Sequence, residues 1–156
     1  LGRRLNAESV EKLKNFYKKS PTCVVFAADG LSGTAIEANY DIVIPALMNG
    51  LKAHGIDVGE PFFVRYGRVA VQDEVSEITG CDVCVCLIGE RPGLATAKSM
   101  SAYITYKGTI GMSEARRTVV SNIHNAGTPA AEAGAHIADI VDIMLKEKAS
   151  GTDLKL

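Results

Sequence analysis

No apolar run in this chain of 156 residues approaches the ~20 needed to cross a bilayer. The opening Leu1-Gly2-Arg3-Arg4-Leu5 has none of the apolar stretch of a secretory signal. A helical membrane anchor within these residues is therefore excluded, and a cytosolic setting is expected. Excess charge is also lacking: Lys and Arg number 17, Asp and Glu 18, and the formal net charge is -1. General nucleic-acid binding does not suit that balance, nor does steering of ligands by a strong field. The G-x-G-x-x-G and G-x-x-x-x-G-K-S/T patterns are missing, so dinucleotide and triphosphate cradles have no support. Cysteine is sparse, with Cys23 in one apolar run and Cys81, Cys84 and Cys86 in another, and no histidine stands near enough to complete a zinc set. They read as free thiols in a reducing compartment. Cys84 and Cys86 would share one face of a strand and pack there as small hydrophobes.

What is present suits one folded unit. Hydrophobic residues make up 47% and charged residues 22%, and a single domain over residues 1–156 can bury roughly two thirds of its unfolded surface without disulfide or metal. A chain that starts with Leu rather than Met is expected to lack an upstream segment. Asn6 can cap a helix with Val10, Leu13 and Tyr17 at helical spacing, ending near Lys18 and Lys19 before Pro21 bars continuation. Thr22 to Ala28 is continuously apolar and partly β-branched, as a strand covered on both faces should be. After Asp29-Gly30-Leu31-Ser32-Gly33, the positions Ile36, Tyr40, Val43, Leu47 and Leu51 keep one helical face to Gly55, with a kink or division expected at Pro45.

Val58 and Pro61 to Val64 suggest a second strand. Val71, Val75 and Ile78 suggest a helix that stops at Gly80, and Val83 to Ile88 a third covered strand. Strand and helix alternate three times, which argues for a parallel sheet. Beyond Ser101 the pattern is poorer: a strand near Ala102 to Tyr106, a loop to Gly111, a helical turn near Glu114 and a short run at Val119-Val120. Thr128-Pro129 then opens a last helix with Ala133, Ile137, Ile140, Val141 and Met144 inward and Lys146 and Lys148 at its close.

Ligands of open parallel sheets collect beyond the carboxyl ends of the strands. Three polar, glycine-bearing turns fall there: Asp29 to Gly33, Tyr66-Gly67-Arg68, and Gly89-Glu90-Arg91-Pro92-Gly93. In the last, an apolar strand surfaces at a charged pair held between two glycines and stiffened by proline, a junction suited to presenting something. Asp29 and Ser32 are expected to cap the following helix. Asp29, Glu90 and Asp73 could form a carboxylate pair, but nothing in the sequence fixes their separation, and His54, His124 and His136 stand in unrelated contexts. No catalytic set is assigned and no metal ligand set is expected. Ser121-Asn122-Ile123-His124-Asn125 offers small donors and acceptors to a ligand, another chain or its own loop.

Seven segments spread along the chain stand out together: Leu1 to Leu5, Ala28-Asp29-Gly30-Leu31-Ser32, Gly67-Arg68-Val69-Ala70, Leu87 to Leu94, Ser99 to Tyr103, Ser121 to His124 and Lys148 to Gly151. With them the chain resembles the small-subunit family of ethanolamine ammonia-lyase, an adenosylcobalamin-dependent enzyme of bacterial ethanolamine utilisation. The octapeptide Leu87 to Leu94 and Ser-Asn-Ile-His carry the specificity. The resemblance implies an α/β, Rossmann-like three-layer fold with a mainly parallel sheet flanked by helices. It implies a non-catalytic subunit that holds part of adenosylcobalamin (coenzyme B12) against a large subunit in a hetero-oligomer, where ethanolamine becomes acetaldehyde and ammonia. Its cofactor-binding positions carry over to Val69, Glu90 and Val119. Val119 stands where many relatives are expected to have cysteine, which leaves packing or backbone contact there, and Ala28 where serine is common. No Asp-x-His-x-x-Gly sequence occurs, so the cofactor's own base would stay on cobalt. A bacterial microcompartment or the cytoplasm is the implied location. The rivals are a stand-alone small-molecule enzyme using Glu90 and Asp29, and a scaffold whose loops bind only protein.

Overall fold

The computed structural model describes residues 5–16, 20–30, 33–65, 67–89, 100–123 and 129–151. Helix α1 spans Ala7–Phe16, and its start is set by Asn6, whose Oδ1 accepts from the Ser9 amide at 2.8 Å. Strand β1, Cys23–Ala28, is buried along its whole length, as its unbroken apolar run requires. Helix α2, Gly33–Ala53, passes through Pro45 without dividing. Pro45 lies on the exposed side of the helix, where water can satisfy the carbonyl that loses its amide partner. Strand β2, Phe62–Val64, is short, and an isolated bridge from Val58 to Cys23 leads into it.

Helix α3, Val71–Thr79, ends at Gly80, whose φ of 67° is left-handed and whose amide donates to the Ser76 carbonyl at 2.9 Å. Strand β3 is Val83–Gly89, β4 is Met100–Tyr106 and β5 is Thr118–Ile123. A single 3-10 turn, Glu114–Arg116, precedes β5. Helix α4, Ala130–Glu147, buries the expected Ala133, Ile137, Ile140, Val141 and Met144. Pro129 sits at its N-cap, one residue before the helix, while the expected cap Thr128 lies outside the described residues.

The strands form one sheet in the order β2-β1-β3-β4-β5. β1 pairs in parallel with β2 and β3, whereas β3 with β4 and β4 with β5 are antiparallel. The expectation of a mainly parallel sheet is thereby corrected: the sheet is mixed. The links from Gly89 to Met100 and from Tyr106 to Thr118 are shorter than the dozen or more residues that a parallel crossover needs.

Alternate residues of β1 feed two cores. Cys23, Val25 and Ala27 pack with α2 and α4, and Val24, Phe26 and Ala28 with α1 and α3. Cys84 and Cys86 fall together on the second face, as their spacing requires, and all four cysteines are buried and free. On the first face α4 meets α2 closely through Gly50 against Ala138 and Gly134 against Ala46. No helix of the described residues is long and apolar enough to cross a membrane.

Candidate functional site

At the carboxyl ends of the parallel strands the chain turns at Asp29-Gly30 after β1 and at Gly67-Arg68-Val69 after β2, and β3 closes at Gly89. Gly30 has φ +55°, and a Cβ there would come within 2.8 Å of the Gly89 carbonyl oxygen, so only glycine lets the first turn close against the end of β3. A Cβ on Gly67 would meet both Ala28 Cβ and Val64 Cγ1 at 3.0 Å, which seats the second turn directly on the sheet. Arg68 Nη1 donates to the carbonyl oxygens of Gly30 and Gly67 and so ties the two turns together. The expected convergence of strand-end turns therefore holds for β1, β2 and the last residue of β3.

The face covered by α1 and α3 can be followed in rows across the sheet. One row runs Phe62, Phe26, Cys86, Tyr103, Val119, touching all five strands, and the next runs Val64, Ala28, Ile88, Ser101. Phe62 and Phe26 stack with ring centroids 5.4 Å apart. Val69 is half-buried against this face, while Val119 closes the first row on edge strand β5 with 47% of its surface exposed. Sequence-assigned Val69 and Val119 thus share one face. Glu90, together with Arg91, Pro92 and Gly93, lies outside the described residues, as do His124 and Asn125. Of that segment, Ser121 is exposed and Ile123 buried.

Among the described residues, two buried oxygens near these strand ends have no hydrogen-bond partner: Asp29 Oδ1 and, on the α1/α3 face, Ser101 Oγ. The expected capping by Asp29 is not made through Oδ1. Asp73 is not available to a carboxylate pair, because both its oxygens are taken by Arg117, at 2.9 Å to Nη1 and 2.7 Å to Nη2. Burial draws the Arg117 pKa down, but the carboxylates of Asp73 and Glu114 outweigh it and hold the guanidinium charged. Glu114 is in turn held below the usual carboxylate range by its hydrogen bond from Arg117. His54 stands at the other end of the sheet, its Nε2 2.8 Å from Asp139 Oδ1, joining the end of α2 to α4.

Gln72 and Arg117, both buried at this face, escaped the sequence. Gln72 is fully buried, and its Nε2 donates to the carbonyls of Cys84 and Tyr103, both at 2.8 Å. Its place beside Val71 on the flank of the Val71-Val75-Ile78 stripe was the one available signal. Arg117 stands beside Arg116, and its partner Asp73 is 44 residues away in the sequence.

Among the described residues no three His, Cys, Asp or Glu side chains gather to hold a metal ion. The geometry is that of an α/β fold with half-buried Val69 and exposed Val119 on one face of a mixed sheet, and with a buried hydroxyl without a partner at the rim. The family model for the ethanolamine ammonia-lyase light chain (EutC) matches residues 1–155, and the chain belongs to that family. It is 65% identical over 156 residues to the ethanolamine ammonia-lyase small subunit of Fusobacterium nucleatum subsp. nucleatum, covering 100% of this chain and 53% of the relative. To the small subunit of Clostridium tetani it is 60% identical over 156 residues, again 100% of this chain and 53% of the relative. To that of Listeria monocytogenes serotype 4a it is 52% identical over 155 residues, 99% and 53% of the two chains. The chain thus spans about half the length of the curated relatives it matches.

Proposed function

We propose that this chain is the cofactor-holding part of an ethanolamine ammonia-lyase small subunit. As a single α/β domain it would bind part of adenosylcobalamin where it meets a large catalytic subunit, in a hetero-oligomer that converts ethanolamine to acetaldehyde and ammonia. The family match along residues 1–155 carries this reading. The Rossmann-like portion is β2-β1-β3 with α2 and α3 on opposite faces, and the enzyme would work in a bacterial microcompartment or the cytoplasm.

The residues present suit the cofactor. A corrin has a wide apolar face fringed with amides, and the α1/α3 face supplies half-buried Val69, exposed Val119 and the unpartnered Ser101 Oγ. When bound, adenosylcobalamin supplies a cobalt–carbon bond whose cleavage begins the radical chemistry. The chain's own part is to bind and orient. Val69 and Val119 pack on the apolar face and exclude water from it, and Glu90, ionised, accepts from an amide or ribose donor. The acid-base work falls to the large subunit.

Mixing the small and large subunits with adenosylcobalamin and ethanolamine, and following acetaldehyde, tests the proposal. Activity is expected only with both chains. Equal activity from the large subunit alone would overturn the essential role. Glu90→Ala should raise the cofactor concentration for half activity by roughly tenfold or more, since a hydrogen bond to a charged group contributes about 1.5–3 kcal/mol. An unchanged requirement removes Glu90 from the site.

A further inference from the structure

Between Val69 and Val119 runs an unbroken set of polar contacts. The Val69 carbonyl accepts from the Gln72 amide at 2.9 Å, which ties the turn before α3 to the helix. The Gln72 side chain donates to the Tyr103 carbonyl at 2.8 Å, and Tyr103 is the direct β4 partner of Val119. Gln72 Oε1 accepts from Arg117 Nη1 at 2.9 Å, and Arg117 forks onto both oxygens of Asp73, the next residue of α3. Arg117 stands two residues before Val119, and its side chain is 2% exposed. Glu114 completes the set, its Oε2 2.7 Å from Arg117 Nε.

Among the described residues edge strand β5 has one neighbour, β4, and the register shifts between Met100 and Ala102, so the ladder alone holds its position loosely. A buried ion pair stabilises a fold little in net, because desolvation offsets most of the attraction. What a planar fork on two carboxylate oxygens does supply is direction. We infer that Arg117, with Asp73 and Gln72, is a positioning residue that fixes β5 against α3 and so sets the spacing of Val119 and Val69 on the cofactor face. This rests on the proposal that those two valines face the cobalamin.

The test uses the full small subunit in complex with the large one, and reads the cobalamin dissociation constant by absorbance titration, the thermal midpoint, and kcat at saturating cofactor. Replacing the pair with apolar side chains of similar size, Asp73→Leu with Arg117→Met, removes the buried charges together and leaves Gln72 Oε1 short of its donor, so the thermal midpoint should fall by several degrees with the fold retained. The dissociation constant should rise about three- to thirtyfold, the span expected for coupling through a packed network, with kcat little changed. A folded double variant with an unchanged dissociation constant overturns the positioning role. Arg117→Lys serves if the double variant does not fold. It keeps the charge but loses the fork, and should weaken cobalamin at least about threefold; unchanged binding again overturns the inference. Val119→Asp separates the two levels. If it leaves cobalamin binding unchanged, the cofactor face itself is wrongly placed; if it weakens binding while the pair variants do not, only the positioning role falls.

Discussion

Helical glycines ordinarily weaken a helix by about 1 kcal/mol relative to alanine, so Gly134→Ala on α4 should stabilise the protein if the position is merely tolerant. The packing predicts the reverse. A Cβ on Gly134 would lie 2.7 Å from Ala46 Cβ, 2.8 Å from the Leu47 nitrogen and 2.9 Å from the Val43 carbonyl oxygen. Two of those three atoms are α2 backbone, which no change of rotamer can move, so the helices must separate. Forcing one methyl into such a contact costs up to about 3 kcal/mol; after the gain in helix propensity, the net loss is ~2 kcal/mol. For a chain of this size that lowers the thermal midpoint by about 4–8 °C. Gly50 is the internal comparison, since its Cβ would meet Ala138 Cβ at 2.6 Å with the next atom 3.9 Å away. Gly50→Ala should therefore be rescued by Ala138→Gly, the swap leaving stability near the starting value, whereas Gly134→Ala should not be rescued by Ala46→Gly. Calorimetry on the four variants decides. A raised midpoint for Gly134→Ala, or its full rescue by Ala46→Gly, would refute the backbone-contact account.

The cysteines predict a pH dependence. The Cys81 thiol is drawn down to about 7 chiefly by its hydrogen bond with Cys84, burial opposing this, because the Ser76 and Thr79 hydroxyls already donate to the Gln72 and Val75 carbonyls. A thiol lowered on folding contributes stability that is complete above its unfolded value near 9 and lost as pH falls through about 7. Burial pushes Cys86 up to about 12 and raises Cys23 and Cys84 as well, so above pH 9 their ionisation favours the unfolded chain. Urea unfolding should show stability rising from pH 7 to 9 and falling beyond, with the rise missing in Cys81→Ala; a rise that persists in the variant would sink the assignment. Gln72→Leu leaves two strand carbonyls and Arg117 each short of a partner, and should destabilise by about 2–4 kcal/mol. A loss under about 1 kcal/mol in denaturant melts would mean that Gln72 does not join α3 to β4.

The parallel half of the fold was legible because each of its signals is local. Pro21, Gly55 and Gly80 mark ends, the apolar runs of β1 and β3 have no polar face, and α2, α3 and α4 keep helical spacing in their buried residues. The antiparallel half was not, because β4 buries the polar Ser101 and Thr105 and so lacks a continuous apolar run, and strand direction has no signature in side chains. Loop length was the usable clue. The Arg117–Asp73 pair spans 44 residues of sequence, and no spacing rule joins partners so far apart. Likewise Gly134 reads in the sequence only as a weak point in a helix, since the α2 backbone it admits belongs to another element.

Reversing β4 changes where a ligand can be met. In a wholly parallel sheet every strand would deliver its carboxyl end to one rim, and the crevice between β1 and β3, where the strand order reverses, would be the place to look. Here that point is closed by Gly30 seated against Ile88 and the Gly89 carbonyl. Because β4 runs back, its amino-terminal Met100 and Ser101 join the same rim, and β5 adds to the α1/α3 face a row that ends in Val119 on an edge strand. Among the described residues the exposed apolar side chain of that row, Val119, thus lies sideways of the crevice, on β5. Under the proposed function the cofactor would be met on that side of the face rather than in the crevice between β1 and β3.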